Sequence, residues 1–217
     1  MYFYYKTAPL FFNTFSNNFS VLNTRNSNIS SDDVRALLDD GNDNLYIGTY
    51  REGLDVYNLK TGSFKNYRHN KKNSKSLSDN YVYFLAIDKK NRIWIGTGNG
   101  LSLFDKQSGS FINYDEQNGL ANNFIHAIVP DKEGNLWIST DKGISKFIAK
   151  DNKFQNYDFY DGLQKGEFND GSALMDHNGR IWFGGINGLN SFFPESVYKA
   201  NFNRKLCLLN FYFLIPH

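Results

Sequence analysis

The sequence predicts an all-β protein, a partial β-propeller of about four blades of four antiparallel strands each. Four segments carry this expectation: DDGNDNLYIGT, DKKNRIWIGT, DKEGNLWIST and DHNGRIWFGG each hold a hydrophobic–aromatic–hydrophobic centre. Their aromatics, Tyr46, Trp94, Trp137 and Trp182, stand 48, 43 and 45 residues apart. A period of roughly 40–50 residues, rich in short β-patterned runs, is the mark of propeller blades. A glycine followed by an aliphatic residue then recurs, at Gly53-Leu54, Gly100-Leu101, Gly143-Ile144 and Gly188-Leu189. Such units hide their apolar faces against their neighbours, since none can do so alone.

The chain is expected to open inside a blade. Phe12-Asn13 and Phe19 to Leu22 align 45 residues ahead of Tyr57-Asn58 and Phe64 to Tyr67, so residues 1–22 are assigned to the outer strands of an incomplete blade. Blades follow over 23–70, 71–117 and 118–160, then a three-stranded fourth over 161–198; residues 199–217 are read as a linker and the start of a further β domain.

The third unit shows the plan most clearly. Phe124 to Val129 reads as a first strand, and Asp131-Lys132-Glu133-Gly134 turns the chain. Such a turn needs a side-chain acceptor at its start and a residue tolerant of positive φ at its end. Asp40/Asp43, Asp88/Asn91 and Asp176/Gly179 take those two places in the other units, and the ligand count is too low for a calcium loop. Leu136-Trp137-Ile138 forms the second strand, apolar on both faces, as expected where sheets cover both sides. Ser139, and Gly48, Gly96 and Gly184 in the other units, are small where a neighbouring sheet comes close. Gly143 to Ile148 makes a third strand and Phe154 to Tyr157 a fourth, a pair repeated by Phe64/Tyr67 and Phe111/Tyr114.

A net charge of +2 gives no electrostatic case for nucleic acid, and the basic run Arg68 to Lys75 has no interleaved aromatics, so it reads as a solvated linker. The single cysteine, Cys207, excludes an intramolecular disulfide. No apolar run reaches the roughly 18 residues of a membrane-spanning helix. The opening MYFYYKTAPLFF lacks the basic start and small-residue cleavage site of a signal peptide. The four histidines share no close spacing, and no catalytic residue, metal site or cofactor is expected.

Candidate binding residues lie where the first strands border the central channel and where loops ring its mouth. Arg35, Tyr83 and His126, with Gly171, share one repeat column at the start of the innermost strands. The hairpins after the second strands add Arg51, Glu52, Asn99, Asp141, Lys142 and Asn187, and the approaches to the first strands add Asn122 and Asn123. Polar, amide-rich loops of this kind suit hydrogen bonding to sugar hydroxyls, while the three tryptophans lie on the structural face and are assigned to the core.

Ser31-Asp32-Asp33-Val34-Arg35-Ala36-Leu37-Leu38 with Asn44-Leu45-Tyr46-Ile47-Gly48-Thr49, and Asn135-Leu136-Trp137-Ile138-Ser139-Thr140 with Asp141-Lys142-Gly143-Ile144, resemble the two-component regulator propeller repeat. Glu167-Phe168-Asn169, Trp182 to Asn190 and Phe193-Pro194-Glu195 resemble the closing repeat of that region, and Leu208 to Pro216 is similar to the first strand of the Tyr-rich immunoglobulin-like domain that follows it. The resemblance, over about residues 10–216, implies the periplasmic sensor of a hybrid two-component histidine kinase that controls polysaccharide-use genes. The kinase itself would lie outside the chain. Expected partners are an oligosaccharide, the adjoining blades of a longer receptor and a second copy of the chain, with no nucleic acid and no membrane contact by this segment. A protein-binding scaffold is the alternative, and a propeller glycosidase or lyase is a weaker one.

Overall fold

The computed structural model describes residues 2–5, 8–13 and 18–197. The N-terminal sheet is β1 (Tyr2–Tyr5), β2 (Ala8–Asn13) and β3 (Asn18–Val21). Blade 1 is β4 (Val34–Asp39), β5 (Asn44–Thr49), β6 (Leu54–Asn58) and β7 (Phe64–Tyr67). Blade 2 is β8 (Val82–Ile87), β9 (Ile93–Thr97), β10 (Gly100–Asp105) and β11 (Ser110–Tyr114). Blade 3 is β12 (Ile125–Pro130), β13 (Leu136–Thr140), β14 (Gly143–Ile148) and β15 (Lys153–Tyr157). Blade 4 is β16 (Phe168–Met175), β17 (Ile181–Gly185) and β18 (Gly188–Phe192).

Each sheet is an antiparallel meander whose spatial order follows the sequence. β1 was not among the expected strands; it pairs with β2 from Tyr2↔Phe11 to Tyr5↔Ala8. Among the described residues β3 pairs only with β2 and β18 only with β17. The segment similar to an immunoglobulin-like strand, Leu208 to Pro216, and the assignment of 199–217 lie outside the described residues.

The apolar core lies between blades. Tyr46 and Leu54 of blade 1 pack against Val82, Ile93, Ile95 and Phe104 of blade 2. Trp94 and Leu101 of blade 2 meet Ile125, Ile128, Leu136 and Ile138 of blade 3. Trp137 and Ile144 of blade 3 meet Phe168, Ile181 and Phe183 of blade 4. Tyr46, Trp94 and Trp137 are almost wholly buried; Trp182, on the face of the last described blade, is only half-buried.

Close approach explains the small residues of the second strands. A Cβ on Gly48 would lie 2.5 Å from Val82 Cγ1, and one on Gly96 2.6 Å from Ile125 Cγ2, separations that real side chains do not reach.

One aspartate organises each turn. Asp131 Oδ1 accepts from the Glu133 and Asn135 amides, both at 2.9 Å, and its Oδ2 accepts from Trp137 Nε1 at 3.0 Å. Trp94 donates likewise to Asp88 at 2.9 Å and Trp182 to Asp176 at 3.0 Å, while the Tyr46 hydroxyl reaches Asp40 at 3.4 Å. The expected turn ends all adopt positive φ: Asp43 71°, Asn91 59°, Gly134 87° and Gly179 88°. Turn and interface aromatic are therefore held by the same carboxylate.

A second polar column ties each incoming linker to its blade. Backbone amides of Ser30, Ser78, Ala121 and Gln164 donate to Asp55 Oδ2 (2.8 Å), Ser102 Oγ (3.1 Å), Ser145 Oγ (3.0 Å) and Asn190 Oδ1 (2.9 Å) on the third strands. These bonds satisfy buried polar groups and fix where each innermost strand begins.

Candidate functional site: the channel mouth

The innermost strands do not pair regularly with their neighbours. The register slips by one residue between Val34 and Ala36, Val82 and Phe84, and Ile125 and Ala127, leaving Arg35, Tyr83 and His126 as the bulged residues. A bulge re-aims the side chain it carries, and bulges gather near functional sites. In β16 the slip is longer, from Phe168↔Gly185 to Ala173↔Phe183, so residues 169–172 form a wide excursion.

Arg35 and Tyr83, with Phe84, Asp170 and Gly171, line a central cavity of about 580 Å³. That volume lies within the usual range of small-ligand sites, roughly 300–1,000 Å³. The hairpins after the second strands sit at the same end of the sheets, because Val34 pairs with Thr49 and Val82 with Thr97. The hairpins of blades 1 and 2 bond to the approach of the next blade: Gly53 N donates to Asn80 O (3.0 Å) and Gly100 N to Asn123 O (2.7 Å).

The expected site residues divide into three groups. Arg35, Tyr83 and His126 occupy the channel column. Arg35 forks onto Asp33 through Nε at 2.8 Å and Nη2 at 3.1 Å, and lies 4.6 Å over the Tyr50 ring. Arg51 lies over Tyr50 (5.1 Å) and Tyr81 (6.0 Å), which meet edge to face at 4.9 Å. Charge and hydrogen bonding from the Tyr81 and Tyr50 phenols hold its guanidinium above the ordinary arginine value.

The second group is tied into the rim. Asn123 donates to Asn99 at 3.1 Å, Asn122 to Glu116 at 3.0 Å, and Lys142 stands 3.9 Å from Glu116. Asn187 donates its amide to Gln164 at 2.9 Å and its side chain to the Lys165 carbonyl. Glu52, the third case, turns outward to pair with Arg68.

His126 is enclosed by two carboxylates. Its Nδ1 lies 2.7 Å from Asp170 and its Nε2 2.8 Å from Asp141, and only 6% of its surface is exposed. Burial works against its charge, but the bonds to Asp170 and Asp141 outweigh burial and raise the imidazole above its usual pKa. Both ring nitrogens are committed, so neither is free to take a proton from a substrate. The ring instead ties blade 3 to the excursion of blade 4.

Residues 76–99 and 119–142, in blades 2 and 3, match the family described as the two component regulator propeller. Those two segments are two-component regulator propeller repeats. Among solved structures, the chain is similar to the extracellular domain of a hybrid two component system from B. thetaiotaomicron. That match has 32% identity and a TM-score of 0.73, over 81% of this chain and 24% of that one. The extracellular domain of a one component system from the same organism matches at 23% identity and TM-score 0.74, over 89% of this chain and 28% of that one. Virginiamycin B lyase from Staphylococcus aureus, at 9% identity and TM-score 0.63 over 86% of this chain and 63% of that one, shares the fold alone. The chain spans about a quarter of the length of the B. thetaiotaomicron domains. No curated protein matches it by sequence.

The excursion of β16, outside the two matched repeats, is what sequence reasoning missed. Asp170 lies 44 residues from His126, and only the wide bulge brings it there. Tyr81 and Phe124 were missed too. Phe124 bridges Tyr83 (4.7 Å) and His126 (4.9 Å), so the mouth is more aromatic than its loops suggest. Among the described residues no helix is long and apolar enough to cross a membrane.

Proposed function

We propose that this chain is a non-enzymatic sensor segment that helps recognise an oligosaccharide outside the cytoplasm and passes that recognition to a signalling receptor. The carrying observation is the bulged column: Arg35 and Tyr83 line a cavity of about 580 Å³, Tyr50 and Phe124 pack against those two side chains, and Tyr81 packs against Tyr50. Aromatic faces accept the C–H face of a sugar ring, while guanidinium, phenol and amide groups meet its hydroxyls. The likeness to extracellular domains of two-component systems supports a periplasmic or extracellular setting. The commitment of both His126 nitrogens supports a binding role over a hydrolytic one.

Titration calorimetry of the 217-residue chain against a saccharide panel tests this. Binding of at least one oligosaccharide is expected, weakened roughly tenfold or more by Tyr83→Ala, which removes a stacking and hydrogen-bonding surface. A folded chain silent across the panel, or Tyr83→Ala binding as the unaltered chain does, defeats the proposal.

A further inference from the structure

The hairpin of blade 1 differs from the other three. Between its second strand and the left-handed glycine it has Tyr50-Arg51-Glu52, where blades 2, 3 and 4 have Gly98-Asn99, Asp141-Lys142 and Ile186-Asn187. The extra residue puts Arg51 at φ 78°. The other non-glycine residues at positive φ are Asp43, Asn91 and Asn152, types whose short polar side chains tolerate that region. An arginine there is strained, and strain of this kind persists where a site needs it.

The strain places one guanidinium at the rim. Of the three arginines around this part of the mouth, Arg35 is neutralised by Asp33 and Arg68 by Glu52. Arg51 has no carboxylate within ion-pairing distance among the described residues; its neighbours are the side chains of Tyr50 and Tyr81. Tyr50 also carries Arg35, which lines the cavity, so the Arg51 charge stands next to the channel opening. Tyrosine faces orient the guanidinium without cancelling its charge.

From this we infer that Arg51 is an anion-reading subsite, selecting saccharides with a carboxylate or sulfate group over neutral ones. A planar guanidinium recognises both groups with paired N–H donors. The inference rests on the sugar-binding reading of the mouth, and the test separates the two.

Calorimetry of the full chain would compare oligogalacturonates and sulfated oligosaccharides with neutral gluco- and galacto-oligosaccharides of matched length. The acidic sugars are expected to bind roughly tenfold more tightly, the value of about one charge-assisted hydrogen-bonding contact, with an affinity that falls as salt rises. Arg51→Gln should bring the ratio of acidic-sugar to neutral-sugar affinity to about one and remove its salt dependence; whether carboxylate or sulfate is preferred identifies the source of the charge. Arg51→Gly should abolish the preference and raise the melting temperature, because glycine accepts this φ without strain. A purely structural role would lower the melting temperature instead. Neutral sugars bound as tightly as acidic ones, or a preference that survives Arg51→Gln, overturns the inference and spares the sugar reading. No binding by any saccharide overturns both.

Discussion

Between blades 2 and 3, Gly96 lies bare so that Ile125 can press against it, and the seam is closed by Trp94, Leu101, Ile128 and Ile138. Between blades 3 and 4 the equivalent position is Ser139, the inner strand β16 makes a wide excursion, and an imidazole gripped by Asp141 and Asp170 crosses the seam. The same repeat is thus joined once by apolar shape and once with an added proton-bearing clasp. The first join has no imidazole clasp and is intolerant of added volume. The second leaves a segment of the channel wall, Asp170 and Gly171, held partly by charge.

Adding volume at the first join should produce the largest effect. Gly96→Val would put a Cβ 2.6 Å from Ile125 Cγ2, with two further methyls to place. Overpacking of this severity costs about 3 kcal/mol, read as a fall in the denaturant midpoint with little change in slope. A loss under about 0.5 kcal/mol would show that the blades can slide apart, and the contrast between the joins would collapse.

The second join should respond to pH. The folded-state pKa of His126 is raised, so its contribution to stability is complete below the ordinary histidine value of about 6.5 and is lost as pH rises through the raised value. Asp141 and Asp170 are 39% and 49% exposed, so solvent screens the pair and the loss should be about 1 kcal/mol. Melting temperatures from pH 6 upward, compared with those of Asp170→Asn, isolate the effect from His69 and His177. If the variant keeps the full pH dependence, the clasp does not hold the join. Protection of the residue 169–172 amides from hydrogen exchange, taken relative to their intrinsic rates, should fall as pH rises in the unaltered chain and be low at every pH in the variant.

What was legible in the sequence was local. The turn pairs Asp40/Asp43, Asp88/Asn91, Asp131/Gly134 and Asp176/Gly179 adopt the expected geometry because an acceptor and a residue tolerant of positive φ suffice to specify it. Gly48 and Gly96 were legible as points of close approach, since a repeat in which one column is always small has few other physical causes. Even the bond from each indole to its turn aspartate lay within reach, in the constant six-residue spacing of Asp88/Trp94, Asp131/Trp137 and Asp176/Trp182. The mouth was half legible. The repeat column identified Arg35, Tyr83 and His126, but nothing in the alternation of β16 discloses a bulge long enough to carry Asp170 to His126. β1 escaped for a different reason: Tyr2–Tyr5 stands 45 residues ahead of Ile47–Tyr50, in step with β5, but lacks the Gly-Thr that marks the second strand there.

The smallest effect bears on why the second join needs a clasp. Ser139 takes the place of a glycine, yet its hydroxyl is buried with no hydrogen-bond partner among the described residues. A buried polar group left unsatisfied costs about 1–3 kcal/mol relative to its hydration in the unfolded chain. Ser139→Ala keeps the Cβ and removes only that oxygen, so the join should gain about 1 kcal/mol, and more of the stability of blade 4 should then come from shape. The pH dependence should survive unchanged, because the bonds of His126 to Asp141 and Asp170 do not involve Ser139. A denaturant titration of Ser139→Ala at two pH values decides this. A stabilised variant with the same pH slope would mark the clasp and the packing as independent parts of one seam. A destabilised variant would show that the hydroxyl is satisfied in solution, and that the two joins are packed more alike than their residues suggest.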